Sequence, residues 1–224
     1  MHPPNEFWGR PEQVEKFAGR DPDHRLVEIV EGFSEPEATR VLDLGCAAGR
    51  NAVYLAERGF DVHALDASEP MVERTRQRLA EVLDPAEAER RASVGTMDHL
   101  GAFADDSFEL VLALGILHQA RSEDEWRRTL FEVGRVLAAG GLLLVASFAP
   151  GTDLRGEGVR PVPGEAHVRE VVGVGRLYLL VADELDRAME ERGLEPVEPT
   201  ETVRVDMDPG CRVVVNALYR KAAA

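Results

Sequence analysis

The run Val41-Leu42-Asp43-Leu44-Gly45-Cys46-Ala47-Ala48-Gly49-Arg50-Asn51 constrains the fold more than any other stretch of the chain. Arg40 to Leu44 has the apolar density of a short buried strand, and Gly45 cuts it off. A helix follows from about Gly49 to Arg58 and stops at Gly59. A strand, a tight glycine turn and a helix N-terminus together form the place where open α/β sheets bind ligands.

The same alternation continues along the chain. Phe60 to Leu65 predicts a second strand, and Ser68 predicts an N-cap with Pro70 in the first turn. Met71, Thr75, Leu79 and Val82 give that helix one inward face. Ala92 to Gly95 and Phe108 to Leu114 read as strands three and four. Ser122 and Glu125 predict a capping box, followed by the stripe Trp126, Leu130, Val133 and Leu137. Gly140-Gly141 is expected to end that helix, before a fifth strand at Leu142 to Ser147. A helix over Asp183 to Arg192 stops at Gly193. Leu194 to Val197, extended toward Val205, and Arg212 to Tyr219 follow without a long crossover, so they are expected to be antiparallel to each other. The expected fold is α/β: a single-domain, Rossmann-like, seven-stranded, mostly parallel sheet with helices on both faces and an antiparallel C-terminal strand.

Four segments are expected within one domain of 224 residues: an N-terminal helical lid (1–39), a core (40–148), an insertion (149–182), and a C-terminal helix and strand pair (183–220). The insertion is too long for an ordinary connection and reads as a cover over the site. The final alanines read as a frayed end. Met1 to Glu6 has neither the basic nor the apolar region of a secretory leader, and no apolar run reaches the ~18 residues of a membrane span. Cys46 and Cys211 have no metal-ligand spacing. A cytoplasmic protein without bound metal is expected. The net charge of −15 opposes nucleic acid as a partner, because the short arginine clusters are interleaved with carboxylates.

A dinucleotide fingerprint would require glycine where Ala47 and Arg50 stand. Instead, Asp43 precedes the first glycine by two residues, and Asp66 ends the second strand, 21 residues beyond Gly45. This pair of motifs resembles class I S-adenosylmethionine (SAM)-dependent methyltransferases. So do Gly95-Thr96-Met97-Asp98-His99-Leu100, Asp105 to Val111, Leu114 to His118, and Arg135 to Gly141. The stretch Gly49 to Ala56 with Gly59 to Val62 is most similar to the tellurite-resistance and thiopurine methyltransferase branch.

The resemblance implies SAM as cofactor. It places Asp43, Gly45, Cys46, Ala47 and Gly49 against its methionine and ribose, and Asp66 on the ribose hydroxyls. Ala67 and Met71 fall on the adenine face, with core packing as the other reading of Met71. Thr96 stands where the family commonly has the aspartate that receives the adenine amino group, so the Thr96 hydroxyl, the Met97 backbone or Asp98 would take its place. Leu114 and Gly115 fall at the methionine end. Ala47 in place of the usual middle glycine costs one methyl group of space.

Methyl transfer from a sulfonium needs alignment and exclusion of water more than acid–base chemistry. His118, after strand four, is the candidate general base, with positioning of the loop as its other reading. His167 could reach an acceptor if the insertion folds over it. Phe7 and Trp8 could wall the pocket, with packing on the sheet edge as the alternative, and Arg10 could meet a carboxylate. Tyr178 with Leu177, Leu179 and Leu180 reads as core. The expected partner is a small-molecule methyl acceptor; the sequence leaves its identity and the oligomeric state open. Two rivals remain: a SAM-binding regulator without turnover, and an NAD-dependent oxidoreductase. The second is opposed by Asp43, Ala47 and Arg50 and by the lack of a Tyr-x-x-x-Lys pair.

Overall fold

Val41, Leu42 and Leu44 are at most 1% exposed in β1 (Arg40–Leu44), as a strand covered on both faces requires. The computed structural model describes residues 7–171 and 174–223. Met1–Glu6 of the N-terminal segment, Val172–Gly173 of the insertion and Ala224 lie outside the described residues. The chain forms two compact units, one of residues 7–97 with Ser107–Leu112, the other of Asp98–Asp106 with residues 113–223.

In the first unit β1 pairs in parallel with β2 (Asp61–Asp66) and with β4 (Phe108–Leu114), and β2 pairs in parallel with β3 (Ala92–Val94). Its order is therefore β4-β1-β2-β3. The helices are α1 (Pro11–Ala18), α2 (His24–Val30), α3 (Arg50–Ala56), α4 (Glu69–Leu79) and α5 (Pro85–Arg91). Met71, Thr75 and Leu79 of the expected inward face of α4 are at most 1% exposed, and Val72, not on that stripe, is buried beside them. Val82, placed on the same stripe from sequence, lies beyond the helix and is exposed.

The second unit holds α6 (Glu123–Val136), β5 (Leu137–Phe148), α7 (Ala182–Glu190), β9 (Leu194–Pro196), β10 (Glu201–Asp206) and β11 (Cys211–Lys221). β11 runs antiparallel to β5, β10 and β9. The extended reading from Leu194 toward Val205 is thus two strands. Gly140 and Gly141 do not end α6; they lie inside β5, with Gly140 at φ +77°. The helix stops at Val136, where Lys221 Nζ donates to the carbonyls of Gly134 (2.8 Å) and Leu137 (2.6 Å). A lysine there satisfies carbonyl groups that a helix end leaves open. The capping box is half formed: Ser122 Oγ accepts from the Glu125 N–H, but the Glu125 carboxylate takes the Arg121 N–H instead of that of Ser122.

The insertion is not a bare loop. It carries a separate antiparallel sheet, β6 (Val159–Pro161), β7 (Val168–Val171) and β8 (Gly175–Tyr178). Val171, Leu177 and Leu179 form its apolar side with Phe148 and Val159. The fold class is the expected mixed α/β one with a mostly parallel central sheet. The stretch from Leu194 to Asp206, expected as one strand, is two. No helix among the described residues is long and apolar enough to cross a membrane.

Candidate functional site

The turn after β1 is built from left-handed backbone. Gly45, Ala47 and Gly49 have φ of +77°, +48° and +78°. Glycine adopts that region freely, and alanine does so only at a cost. The sequence pattern presents Ala47 as a question of space, but the larger consequence is conformational strain. At Gly49 space decides as well, since a Cβ there would stand 2.8 Å from Thr75 Cγ2 of α4.

Both flanking elements fasten the turn. The N–H groups of Gly45 and Cys46 donate to Leu65 O at 2.7 and 3.1 Å. Thr75 Oγ1 donates to Ala47 O (2.8 Å), and Arg78 donates to Ala48 O (2.7 Å). The sequence places Thr75 only in an apolar stripe and Arg78 only in a short arginine cluster on a solvated helix face. The available signal was a lone hydroxyl on an otherwise apolar helix face.

Asp66 closes the turn from the end of β2. Its Oδ2 accepts the Ala47 N–H at 2.9 Å, and its Oδ1 accepts the Ser68 N–H at 2.8 Å. Burial raises its carboxyl above the usual range, while bonds from the Ser68, Ala47 and Ala67 N–H groups oppose the rise. The expected cap at Ser68 does not form. Ser68 occupies the N-cap position of α4 without a side-chain bond, and its buried Oγ has no partner. The carboxylate of Asp66, two residues earlier, is the group that braces this helix start.

Asp43 is 1% exposed. Its carboxylate takes the Ala52 N–H and the Asn51 side chain at the start of α3. It thereby serves a helix whose own N-cap, Gly49, has no side chain to offer. One of its oxygens, Oδ2, is buried with no partner. Burial pushes the carboxyl up to about 7; Arg50 lowers it and Asp66 raises it further. Cys46 is buried, and burial followed by the charges of Asp66 and Asp43 pushes its thiol up, so it is an inert packing group.

The N-terminal segment packs on this turn. Val14 of α1 joins Ala48 and Met71 in one apolar cluster, with Trp8, Phe17, Ala18 and Ala47 against it. Met71 is therefore a core residue under that cover, at 1% exposure. Arg74 of α4 pairs with Glu15 (3.2 Å), and Asp23 N–H donates to Asn51 Oδ1 (3.0 Å). Phe7 meets Trp8 edge to face, and the exposed Arg10 lies over the Phe7 ring. Ala67 is half-buried, Thr96 is exposed and Met97 is buried.

Leu114, Gly115 and His118 belong to the second unit. Gly115 is exposed at φ +88°, a Cβ on it would meet nothing within 4 Å, and its N–H donates to Ala146 O. His118 is 2% exposed, stacks on Phe148 at 4.1 Å, and accepts the Phe148 N–H on Nδ1 at 3.0 Å. Burial lowers it to about 3. With Nδ1 accepting, the neutral ring carries its proton on Nε2 and has no free basic nitrogen. This geometry suits positioning of the 115–120 turn and does not suit a general base. His167 stands 3.8 Å from Glu184 and tilts on Tyr178, which stacks on Trp126. Tyr178, Leu177, Leu179 and Leu180 are core, as expected. No group of residues that could hold a metal occurs among the described residues.

A family described as a methyltransferase domain matches residues 41–141. The chain is 34% identical over 153 residues to sarcosine/dimethylglycine N-methyltransferase of Aphanothece halophytica, covering 67% of this chain and 52% of that protein. It is 31% identical to methyltransferase GfsG of Streptomyces halstedii, covering 62% of this chain and 48% of that protein. The chain spans about half the length of the curated relatives it matches. In fold it resembles 1,6-didemethyltoxoflavin-N1-methyltransferase of Burkholderia thailandensis, solved with its acceptor and S-adenosylhomocysteine. The TM-score is 0.61 at 18% identity, covering 99% of this chain and 92% of that one.

Proposed function

We propose, from the membership of this chain in the class I SAM-dependent methyltransferases, that it transfers a methyl group to a small-molecule acceptor. The observation that carries this reading is the bond from Ala47 N–H to Asp66 Oδ2, which makes one binding surface of the glycine turn and the second strand's terminal carboxylate. The fit to the cofactor rests on two further features. The turn presents glycine backbone where a ligand must pass close, and Asp43 Oδ2 is an acceptor still without a donor.

The cofactor supplies a methyl group on a sulfonium, which an acceptor displaces in line. The chain's own part is to hold and to exclude water. Asp66 keeps lone pairs for ribose hydroxyls beside the N–H groups of Ala47, Ser68 and Ala67 that it already accepts. Gly45 to Gly49, fastened by Thr75 and Arg78, would hold the methionine part. Trp8, Val14 and Phe17 roof the same turn against solvent. A small acceptor is supported by the charge of −15, which repels polyanions.

Calorimetry with SAM, S-adenosylhomocysteine and NAD tests the donor. Binding of both sulfur ligands is expected, and binding of NAD alone would overturn the proposal. Transfer of a labelled methyl group across a panel of amine, hydroxyl, thiol and carboxylate compounds tests turnover.

A further inference from the structure

Asp43 combines full burial with an unserved oxygen. The Ala52 N–H and the Asn51 side chain approach its carboxylate, yet Oδ2 has no hydrogen-bond partner. The charged groups facing it are Arg50 from the start of α3 and Asp66 from the end of β2. Arg50 is shared, donating also to Asp21 O at 2.9 Å. The neighbouring Cys46 thiol stays protonated. Asp43 is thus buried between a half-exposed guanidinium that favours its ionised form and a second carboxylate that opposes it. An ionised group with an empty acceptor position is costly there. Burial accordingly pushes this carboxyl up to about 7.

We propose that binding of the cationic methyl donor displaces a proton from Asp43, which makes this residue a determinant of selectivity for donor over product. The inference rests on the reading of Gly45–Gly49 and Asp66 as the cofactor site. SAM bears a sulfonium charge that S-adenosylhomocysteine lacks. A positive charge brought close to a poorly solvated carboxylate favours its ionised form. By linkage, the ionised form favours the cation to the same extent. The proton passes to solvent and no bond in the cofactor changes. After transfer the product is a neutral thioether, Asp43 takes a proton back, and that part of the affinity is lost.

The test is calorimetry with SAM and with S-adenosylhomocysteine at pH 6, 7 and 8, in two buffers of different ionisation enthalpy. For an acid near 7 that must ionise, about half a proton is released per SAM bound at pH 7, and affinity rises roughly tenfold from pH 6 to 8. S-adenosylhomocysteine should release less and vary less. Any requirement for the ligand's own ammonium has the opposite sign, and it cancels when wild type and Asp43→Asn are compared with one ligand. Asp43→Asn should flatten the SAM profile. If that variant does not fold, the two-buffer proton count on the wild type decides. Flat SAM affinity without proton release overturns the proposal, as does equal release with both ligands. Failure of SAM to bind at any pH overturns the cofactor reading instead.

Discussion

The Ala47 N–H donates to Asp66 Oδ2 at 2.9 Å, so the residue expected to hold the ribose also holds the glycine turn after β1. Asp66→Ala removes a charged acceptor and strands the N–H groups of Ala47 and Ser68. SAM affinity should fall at least ~10-fold, with a lower melting temperature. Asp66→Asn retains one carbonyl acceptor and should lose more affinity than stability. Calorimetry and thermal melting on both variants separate the two roles. Undiminished affinity in Asp66→Ala would mean that the ribose lies elsewhere.

Ala47 is an alanine in a glycine conformation, at φ +48°. Left-handed backbone costs a non-glycine residue about 1–2 kcal/mol. Against that, Ala47→Gly adds about 0.5–1 kcal/mol of unfolded-chain entropy. It also gives up part of a methyl contact with the Trp8–Phe17 cluster, at most ~0.8 kcal/mol when fully buried. Strain is expected to prevail narrowly, raising the melting temperature by roughly 1–2 °C. A clear drop would show that the methyl contact outweighs the backbone.

At Gly49 the two costs add. Gly49→Ala places a non-glycine residue at φ +78° and its Cβ against Thr75 Cγ2. Strain of about 1–2 kcal/mol and overpacking of about 1–3 kcal/mol should together destabilise the protein strongly. Thr75→Ser in the same background removes Cγ2 but keeps the hydroxyl that bonds Ala47 O and Met71 O. Denaturant melts should therefore recover part of the overpacking, since Thr75 Oγ1 and Cβ still lie 3.0 and 3.2 Å from the added Cβ. No recovery would mean that the clash is relieved elsewhere in the turn.

What the sequence revealed and what it hid divide by chain distance. The turn from β1 to α3 was legible because its glycines and the strand before them are consecutive, and Asp66 because it ends the next strand. An N-terminal lid with Trp8 as a wall was legible too, but its contacts with Ala47, Ala48 and Met71 were not, because these lie far along the chain and nothing local marks them. Strands β6 to β8 escaped notice for another reason. They are three or four residues long, and exposed Arg160, Glu170 and Arg176 sit opposite one another across them, diluting the apolar signal of Val171 and Leu177. Ser68 looked like a cap because sequence shows a hydroxyl at the right position but not that the Asp66 carboxylate is already in place.

His118 offers a pH test of its structural role. Its folded-state pKa, about 3, is below the ordinary 6.5 because burial opposes the charged ring. The unfolded chain therefore binds a proton that the native state refuses between those values. The resulting stability is present above pH 6.5 and is lost as the pH falls toward 3. His118→Gln keeps a carbonyl that can accept the Phe148 N–H and removes the titration. It should lower stability at pH 7.5 through the lost ring stack, and then lose less than wild type on going to pH 5. Melting curves at the two pH values measure the difference of slopes. Equal slopes would show that the ring is not held neutral. A fall of ~100-fold or more in methyl transfer, with the melting behaviour unchanged, would restore His118 as a general base.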